Sequence, residues 1–427
     1  IFAYKMATDT TDTTLQYNED ELIPPDFLNQ DFILKVLQQE ENDEALKIRH
    51  FKVIPGTKPG DHFASIMFKA IVSYTTKGKE VSERSLVVKT APVYDGMKKD
   101  ALKDMPIFDR ETKMYTKVLP EMKRIMESIG DYEKISPRII YHCDEPSILI
   151  FEDISKIGYQ MHDDFFDFNN TIKIIKKLAK FHALSFFMNE NKETNNLSLQ
   201  DYKGVLINEK SLDSMKQFCD GLDVLKDHIR NWPGYEEISE KLSKIAPTFM
   251  QDLLQIYKPN PEPGFNVLCH GDFHIKNMMY IMNGQDIDEI CFLDFQMCFW
   301  APPSLDFIYI LYETGDPTVR RRKDEVLAIY QEELSNYLTR LGCLRKGPTV
   351  QDLNSDIQKL GHVEILLGLC FLPMFYMDPT TLDMNDLADP NFSKENFFGR
   401  FYKNPKFTEI LKEVLNSLSE RKVLDKN

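Results

Sequence analysis

The chain has few cysteines and no framework that would pair them. Seven cysteines, an odd number, are scattered through 427 residues with neither disulfide-like nor zinc-like spacing, a pattern typical of proteins in reducing compartments. The N-terminal residues lack the charged and apolar regions of a secretory signal. The longest uncharged apolar run, Ile365–Met377, contains Pro373 and is too short to span a bilayer. We therefore expect a soluble, cytoplasmic protein.

Basic residues are also in the minority. Lysine and arginine number 52 against 67 aspartate and glutamate residues, so the formal net charge is −15. An acidic surface argues against nucleic acid and anionic membranes as partners. The chain has no internal repeat or low-complexity tract, and its length by itself suggests two or three domains.

The most informative segment is Cys269–Gln296, which reads CHGDFHIKNMMYIMNGQDIDEICFLDFQ. In it, Asp272 is followed by Asn277 at the fifth position, and Asp294 ends an apolar run. This is the spacing of a kinase catalytic loop. There, one carboxylate accepts the proton of the attacking hydroxyl, while an amide oxygen and a second carboxylate hold Mg²⁺ on the nucleotide. The alternative is that Asp272 and Asn277 are ordinary turn residues and Asp294 caps a strand.

The same segment is predicted to fold as a β-hairpin. Asn266–Cys269 is a short apolar run that enters the loop, and Met278–Met282 is another that leaves it. An Asn-Gly turn follows, and Ile290–Phe295 is predicted as the returning strand. Such a hairpin would bring Asn277 at the start of one strand next to Asp294 at the end of the other.

A nucleotide-binding region is expected upstream. Ala64–Tyr74 and Ser85–Thr90 have the β-branched and aromatic composition of strands, and Thr75–Glu80 is a plausible turn between them. Lys89 then lies near the end of the second strand, where a kinase places the lysine that contacts the α- and β-phosphates. The alternative is a solvated lysine at a strand end, which is the commonest environment for this residue.

A lysine in that role needs a carboxylate partner. Met105–Met122 has apolar residues at helical spacing, and we predict a helix that ends at Pro120. Glu111 falls on its apolar face, where an unpaired acid would be costly. We therefore predict Glu111 as the partner of Lys89. Asp109, two residues earlier, points elsewhere on the helix and is the weaker candidate.

The loop that would cover the phosphates is less distinctive. Pro55–Ser65 contains Gly56 and Gly60 but no G-x-G-x-x-G pattern. Glycines let backbone N–H groups approach a phosphate, so we include both as cofactor-binding candidates. The alternative is an ordinary hairpin turn.

An apolar run between the two regions is the candidate for adenine binding. Ser147–Glu152 is bounded by Pro146 and Asp153 and is predicted as a strand. The carbonyl group of Glu152 and the N–H group of Ile154 are the predicted adenine partners.

Taken together, H-G-D-x-H-x-x-N and the later L-D-F-Q resemble the small-molecule kinases related to choline kinase and aminoglycoside phosphotransferases. The closest resemblance is to the ecdysteroid kinase-like family. Protein kinases usually carry arginine and glycine where this chain has Gly271 and Gln296, and no A-P-E follows, which argues against a protein substrate.

The resemblance implies an α+β, two-lobed, protein-kinase-like fold. Residues 1–45 would form an N-terminal arm and helix, with the helix at Asp31–Gln39. Residues 46–155 would form the nucleotide-binding lobe with a small antiparallel sheet. Residues 156–427 would form a mostly helical lobe that carries the catalytic loop and the substrate-binding helices.

The resemblance also implies roles for individual residues. Asp272 and His274 are the predicted catalytic residues, and His270 would orient the loop. The alternative for His270 and for His274 is a buried, hydrogen-bonded histidine; we favour this alternative for His270 and leave it open for His274. Asp306, in an apolar helical stretch, is predicted to accept backbone hydrogen bonds from the loop, with a helix cap as the alternative. His182 is predicted to be a hydrogen-bonded core residue.

The cofactors implied are ATP and Mg²⁺, and the implied acceptor is a hydroxylated small molecule such as an ecdysteroid or a xenobiotic alcohol or glycoside. His362–Met377 and Phe392–Tyr402 are rich enough in aromatic and aliphatic residues to wall such a site. A buried core helix has the same composition. A choline- or ethanolamine-type kinase, a ligand-binding pseudokinase and an atypical protein kinase remain the functional alternatives.

Overall fold

A computed structural model of the chain describes residues 22–56, 65–77, 80–92, 105–211, 215, 219–377 and 393–425. It has two lobes, a small one built on an antiparallel sheet and a larger, mostly helical one. The predicted α+β, two-lobed fold is therefore confirmed.

The strands are β1 (Lys47–Pro55), β2 (Ile66–Thr75), β3 (Val81–Thr90), β4 (Ile139–Cys143), β5 (Ile148–Glu152), β6 (Val267–Cys269), β7 (Met278–Asn283), β8 (Asp286–Phe292) and β9 (Phe299–Ala301). The first α-helices are α1 (Gln30–Glu41), α2 (Ile107–Lys113), α3 (Leu119–Ser128), α4 (Phe168–Glu190), α5 (Lys192–Asn195), α6 (Gly221–Ile229), α7 (Glu236–Ile245) and α8 (Phe249–Ile256). The remaining ones are α9 (Ser304–Tyr309), α10 (Pro317–Arg321), α11 (Lys323–Arg340), α12 (Val350–Lys359), α13 (Gly361–Ile365), α14 (Leu372–Phe375), α15 (Lys394–Tyr402) and α16 (Pro405–Glu420).

The small lobe is a five-stranded antiparallel sheet in the order β1-β2-β3-β5-β4. Every second residue of β2 from Ile66 to Tyr74 is buried, as expected for a strand with one face on a core. Helix α1 covers that face with Ile33, Val36 and Leu37. It includes the helix predicted at Asp31–Gln39.

Strand β3 is longer than predicted. One of its faces packs on the small-lobe core, and the other faces the large lobe. Leu86 and Val88 point into the core beneath α1. The intervening Val87 packs against the large-lobe core, and Lys89 shares its face because side chains alternate along a strand. Lys89 is therefore directed toward the cleft between the lobes.

The prediction of a helix end at Pro120 was wrong. Helix α2 passes through a π-helical turn at Met114–Val118 and continues as α3 to Ser128. Proline normally stops a helix because it lacks an N–H group and crowds the preceding turn. Here the N–H group of Leu119 bonds to Met114, five residues back, and the widened turn accommodates the proline ring at the start of α3.

The large lobe is organised around α4, which packs along α11. The side chain of Asp167 caps α4 by accepting a hydrogen bond from the Asn170 N–H group. His182 lies in the middle of α4, fully buried, and hydrogen-bonds Tyr330 on α11 and Asp306 on α9. The prediction of a hydrogen-bonded core histidine is confirmed.

The predicted hairpin is formed by β7 and β8, with Gly284 in the turn at φ 66°. Strand β8 ends at Phe292, however, and not at Phe295 as predicted. Asp294 lies beyond the strand in the left-handed region, at φ 59°.

All seven cysteines are free thiols. Among the described residues, no single helix is long and apolar enough to cross a membrane. One pair, Val350–Lys359 with Gly361–Phe375, passes by length and composition only when its two helices, bent by 67°, are counted together.

Candidate active site

The loop after β6 makes a sharp turn that only glycine accommodates. Gly271 has φ 78°, and a Cβ atom at this position would lie 2.4 Å from the carbonyl oxygen of Met297. An arginine, the usual residue of protein kinases here, would be strained by its backbone and would collide with that carbonyl.

Asp306 holds this turn in place. It is fully buried, and its carboxylate accepts the N–H groups of His270 at 2.6 Å and Gly271 at 3.0 Å. The Nε2 atom of His182 lies 3.1 Å from the same carboxylate. The predicted backbone-supporting role of Asp306 is confirmed, and it is a positioning role because the carboxylate contacts the loop and not the proposed reacting atoms.

Replacing Asp306 with alanine is expected to lower the free energy of unfolding by about 2–4 kcal/mol, because two buried N–H groups would lose their acceptor. Urea denaturation followed by circular dichroism measures this. The matched control is Asp288→Ala on β8, an exposed position where the change should stay within about 0.5 kcal/mol. Equal stability of the two variants would contradict the role assigned to Asp306.

His270 is fixed by its ring as well as by its backbone. Its Nε2 atom lies 2.8 Å from the carbonyl oxygen of Leu293, so Nε2 carries the proton and donates it. The Nδ1 atom is buried and has no partner among the residues that the structure describes. Burial lowers the pKa of His270, which favours a neutral ring that ties the loop to the end of β8.

Asp272 is held by its neighbours in the loop. The side-chain amide of Asn277 donates to the Asp272 carbonyl at 2.8 Å and to its carboxylate at 3.1 Å. Burial raises the pKa of Asp272, but the charge and hydrogen bond of His274 more than offset this, and the net pKa lies below the ordinary value. Asp272 is therefore ionised at neutral pH, as a proton acceptor must be.

His274 faces Asp272 across 3.5 Å, measured from Nε2 to the carboxylate. Its Nδ1 atom accepts a hydrogen bond from the Lys276 N–H group at 3.2 Å, so a single proton on the ring sits at Nε2, toward Asp272. Burial lowers the pKa of His274, yet Asp272 and Glu313 raise it above the ordinary value overall.

Three residues far apart in the sequence meet in the cleft. The Nζ atom of Lys89 lies 2.6 Å from Glu111 and 2.8 Å from Asp294, and only 4% of Lys89 is exposed. Burial lowers the pKa of Lys89, but the two carboxylates reverse this and raise it. Asp109, by contrast, is exposed and pairs with Lys113 on the helix surface.

The oxygen atoms near this lysine suit a hard cation. The Asn277 amide donates its N–H groups to Asp272, which leaves Oδ1 as the atom that could ligate a metal. Asp294 lies one residue beyond Leu293, whose N–H group bonds to the Asn277 carbonyl at 2.9 Å. Carboxylate and amide oxygens are ligands that Mg²⁺ prefers, so the residues present fit the implied ion.

The candidate adenine residues lie where β5 leaves the small lobe. Glu152 ends β5, and its carboxylate accepts the Arg138 N–H group at 2.8 Å. Ile154 is buried and begins a short 3₁₀ turn. Between them, the Asp153 carboxylate binds Ser85 at 2.7 Å and Lys69 at 3.1 Å, so the connection between the lobes is anchored to β2 and β3.

Of the two candidate phosphate-loop glycines, only one is described. The N–H group of Gly56 donates to the Met67 carbonyl at 2.7 Å, and a Cβ atom there would lie 3.0 Å from the Met67 backbone. This close approach of two strands is itself a reason for glycine. Gly60 lies outside the described residues.

The candidate substrate walls prove to be mainly core. Leu366–Phe371 forms a buried π-helical turn, and α15 buries most of its aromatic residues. Phe392 lies outside the described residues. Residues 374–377 stay half-exposed, and here Phe375 and Tyr376 contact Phe165, with Phe375 also 5.8 Å from the His274 ring.

Glu313 was missed in the sequence. It is buried on a π-helical turn at Ile310–Thr314, close enough to Asp272 and His274 for their charges to affect its pKa. The signal was present, since Glu313 is an acid in the same apolar stretch that drew attention to Asp306. It also lies seven residues after Asp306, about two helical turns along one face.

The small-lobe sheet directs the buried Lys89 into the cleft, and the helical lobe carries the loop of Asp272 and the β7–β8 hairpin. This arrangement defines a kinase-like protein with two lobes. The model of the ecdysteroid kinase-like family matches residues 59–343, more than half of the chain. The chain belongs to this family, whose members are small-molecule kinases.

The solved structures that resemble the chain are distant from it. Choline kinase from Cryptosporidium parvum is 12% identical with a TM-score of 0.44, over 93% of this chain and 98% of that one. Plasmodium vivax ethanolamine kinase is 14% identical with a TM-score of 0.37, over 90% and 91%. A GDP complex of an aminoglycoside 2′-phosphotransferase is 13% identical with a TM-score of 0.39, over 91% and 98%. A comparison with curated proteins gave no match.

Proposed function

We propose that this protein is an ATP-dependent kinase that transfers the γ-phosphoryl group to a hydroxyl of a small, mostly apolar acceptor. An ecdysteroid and a xenobiotic alcohol or glycoside are the acceptor classes we favour. The observation that carries the proposal is the meeting of Lys89 with Asp294, 205 residues away, at 2.8 Å. Lys89 is buried and Asp294 is partly exposed. A close contact between a buried lysine and a carboxylate open to the cleft is expected where both act on the same nucleotide.

The roles follow from the geometry of the cleft. Lys89, oriented by Glu111, would bind the α- and β-phosphates, and backbone groups around Gly56, Gly60, Glu152 and Ile154 would bind the rest of the nucleotide. Asn277 and Asp294 would hold Mg²⁺. When bound, this ion neutralises the phosphate oxygens.

On the acceptor side, Asp272 would orient the hydroxyl and accept its proton as the bond to phosphorus forms. His274, beside it, would keep its Nε2 proton and use that N–H group to stabilise negative charge on Asp272 and on the transferred group. Phosphoryl transfer requires alignment and charge stabilisation more than covalent help from the protein. The partly exposed cluster of Phe165, Phe375 and Tyr376 supports an apolar acceptor, because the Phe375 ring lies 5.8 Å from the His274 ring.

The test is phosphorylation of a panel of acceptors by the purified protein with Mg²⁺ and ATP. The panel comprises ecdysteroids, plant phenolics and their glycosides, choline, ethanolamine and a generic protein substrate, with products identified by mass spectrometry. We expect one hydroxylated small molecule to gain one phosphate. If only choline or ethanolamine were phosphorylated, the proposed acceptor class would be wrong and a choline- or ethanolamine-type kinase would take its place. Failure of the protein to bind Mg²⁺-ATP would contradict the kinase proposal.

A further inference from the structure

Glu313 is an almost fully buried acid on the π-helical turn at Ile310–Thr314. Only 1% of the residue is exposed, and its Oε1 atom has no hydrogen bond to any residue within the described part of the chain. Its position is nevertheless well defined, because the hydroxyl of the next residue, Thr314, donates to the carbonyl of Phe273 at 3.1 Å. Glu313 is thus fixed against the catalytic loop on the side of Asp272 and His274.

Such a residue weakens the fold. A buried polar group that lacks a hydrogen bond costs free energy. Glu313 also lies on a π-helical turn, and such turns occur frequently at functional sites. Glu313 therefore costs the fold stability and lies beside the proposed reacting groups. A residue with both features is expected to contact a ligand.

We propose that Glu313 determines acceptor specificity by hydrogen-bonding a second, neutral hydroxyl of the molecule whose other hydroxyl is phosphorylated at Asp272. This inference rests on the proposed kinase function and deepens it. It requires an acceptor with at least two hydroxyl groups on a largely apolar body, such as an ecdysteroid.

The electrostatics of the site favour a neutral partner. Burial raises the pKa of Glu313 to about 8, with Asp272 adding to the rise and His274 opposing it. The side chain is therefore mainly a carboxylic acid at neutral pH and can both donate and accept a hydrogen bond. A hydroxyl group matches that pair of functions, whereas an amine or ammonium group would require the ionised form.

The kinetic test uses two variants, Glu313→Leu and Glu313→Gln, with an ecdysteroid and a set of analogues that each lack one hydroxyl. Leucine should lower kcat/KM for the full ecdysteroid about 10- to 100-fold. Glutamine is neutral and can donate and accept, so it should stay within about threefold of the wild type. One analogue will lack the hydroxyl that Glu313 recognises. For that analogue, Glu313→Leu should have the same kcat/KM as the wild type, because the two partners of a contact are energetically coupled.

A stability measurement tests the same idea without turnover. Removing a residue that stabilises the fold lowers the urea midpoint. We expect Glu313→Leu to raise the urea midpoint instead, because the variant no longer buries an unsatisfied acid. The unfolded glutamate ionises near its ordinary pKa while the folded one remains protonated, so Glu313 makes wild-type stability fall as pH rises from about 4.5 to about 8. The leucine variant should lose this part of the pH dependence. Tyr309, Asp272 and His274 are the groups that interact with Glu313 there. All three remain in the variant, but the pKa of His274 loses the contribution that Glu313 makes to its rise.

Three outcomes would overturn the inference. The first is an equal loss of kcat/KM for every analogue, and the second is a fall in the urea midpoint of Glu313→Leu. The third is a loss in Glu313→Gln as large as that in Glu313→Leu, which would indicate an ionised glutamate and an amine-bearing acceptor.

Failure of the proposed function would look different, since the wild type would then phosphorylate no acceptor. Calorimetric binding of the same ecdysteroid to wild type and Glu313→Leu would still test whether Glu313 contacts the ligand. Weaker binding to the variant would support the contact, and unchanged or absent binding would overturn it.

Discussion

Replacing Asp272 with asparagine is expected to lower kcat about 10³-fold or more while Mg²⁺-ATP binding is retained. Asparagine keeps the shape of the side chain and its contact with Asn277, but it cannot accept the hydroxyl proton. Since neither Lys89 nor Asp294 contacts Asp272 directly, the nucleotide side of the cleft should remain intact. Single-turnover kinetics with the acceptor found in the panel, together with calorimetric titration of Mg²⁺-ATP, measure the two effects separately.

The control for this variant is Asp288→Asn, the same chemical change at an exposed position on β8. It should keep full turnover and full nucleotide affinity. If Asp272→Asn turned over as fast as this control, the assignment of Asp272 as the proton acceptor would be lost, and an unassigned group would have to take the proton.

Replacing Asp294 with alanine should affect the nucleotide as well as the reaction. We expect Mg²⁺-ATP affinity to fall about tenfold or more and kcat/KM to fall about 10²-fold or more, because one of the two proposed protein ligands to the ion is removed. The fold should tolerate the change, since Lys89 keeps its ion pair with Glu111 at 2.6 Å.

Magnesium dependence separates loss of a metal ligand from a general disturbance of the cleft. ATP titrated in the presence of EDTA should bind wild type and Asp294→Ala with similar affinity, and the two proteins should diverge only when Mg²⁺ is added. Asp288→Ala should behave as wild type in both conditions. An equal loss of affinity with and without Mg²⁺ would show that Asp294 acts through Lys89 and not as a metal ligand.

Much of the candidate site could be predicted because its signals are local. The turn dipeptide and the two apolar runs predicted the hairpin of β7 and β8, and the strand-like composition of Ser85–Thr90 placed Lys89 near a strand end. The acid on an apolar stripe singled out Glu111, which lies 2.6 Å from Lys89. The catalytic, metal-binding and nucleotide-binding roles of these residues stay predictions until the variants are measured.

The errors arose where the backbone departs from regular geometry. Helix propensity predicts that the helix ends at Pro120. In the structure a π-helical turn shifts the hydrogen bonds, and the helix continues. The apolar run Ile290–Phe295 predicted a strand that continues to Phe295, but Asp294 adopts a left-handed conformation beyond the end of β8. Neither departure has a signature in residue types alone, because each depends on packing against residues distant in sequence.

The sequence by itself determined the chemical groups of this protein and their arrangement within short segments. Asp272 and Asn277 lie in the loop before the β7–β8 hairpin and Asp294 lies just after it, and the whole segment spans fewer than thirty residues, so local rules were sufficient. Only the tertiary structure decided that Lys89 meets both Glu111 and Asp294. It also decided that Glu313 is buried beside the loop, where its Oε1 atom has no hydrogen bond to any of the described residues. The physical reason is that burial and long-range ion pairing are set by how the two lobes pack, whereas turn chemistry and side-chain periodicity act over only a few neighbouring residues.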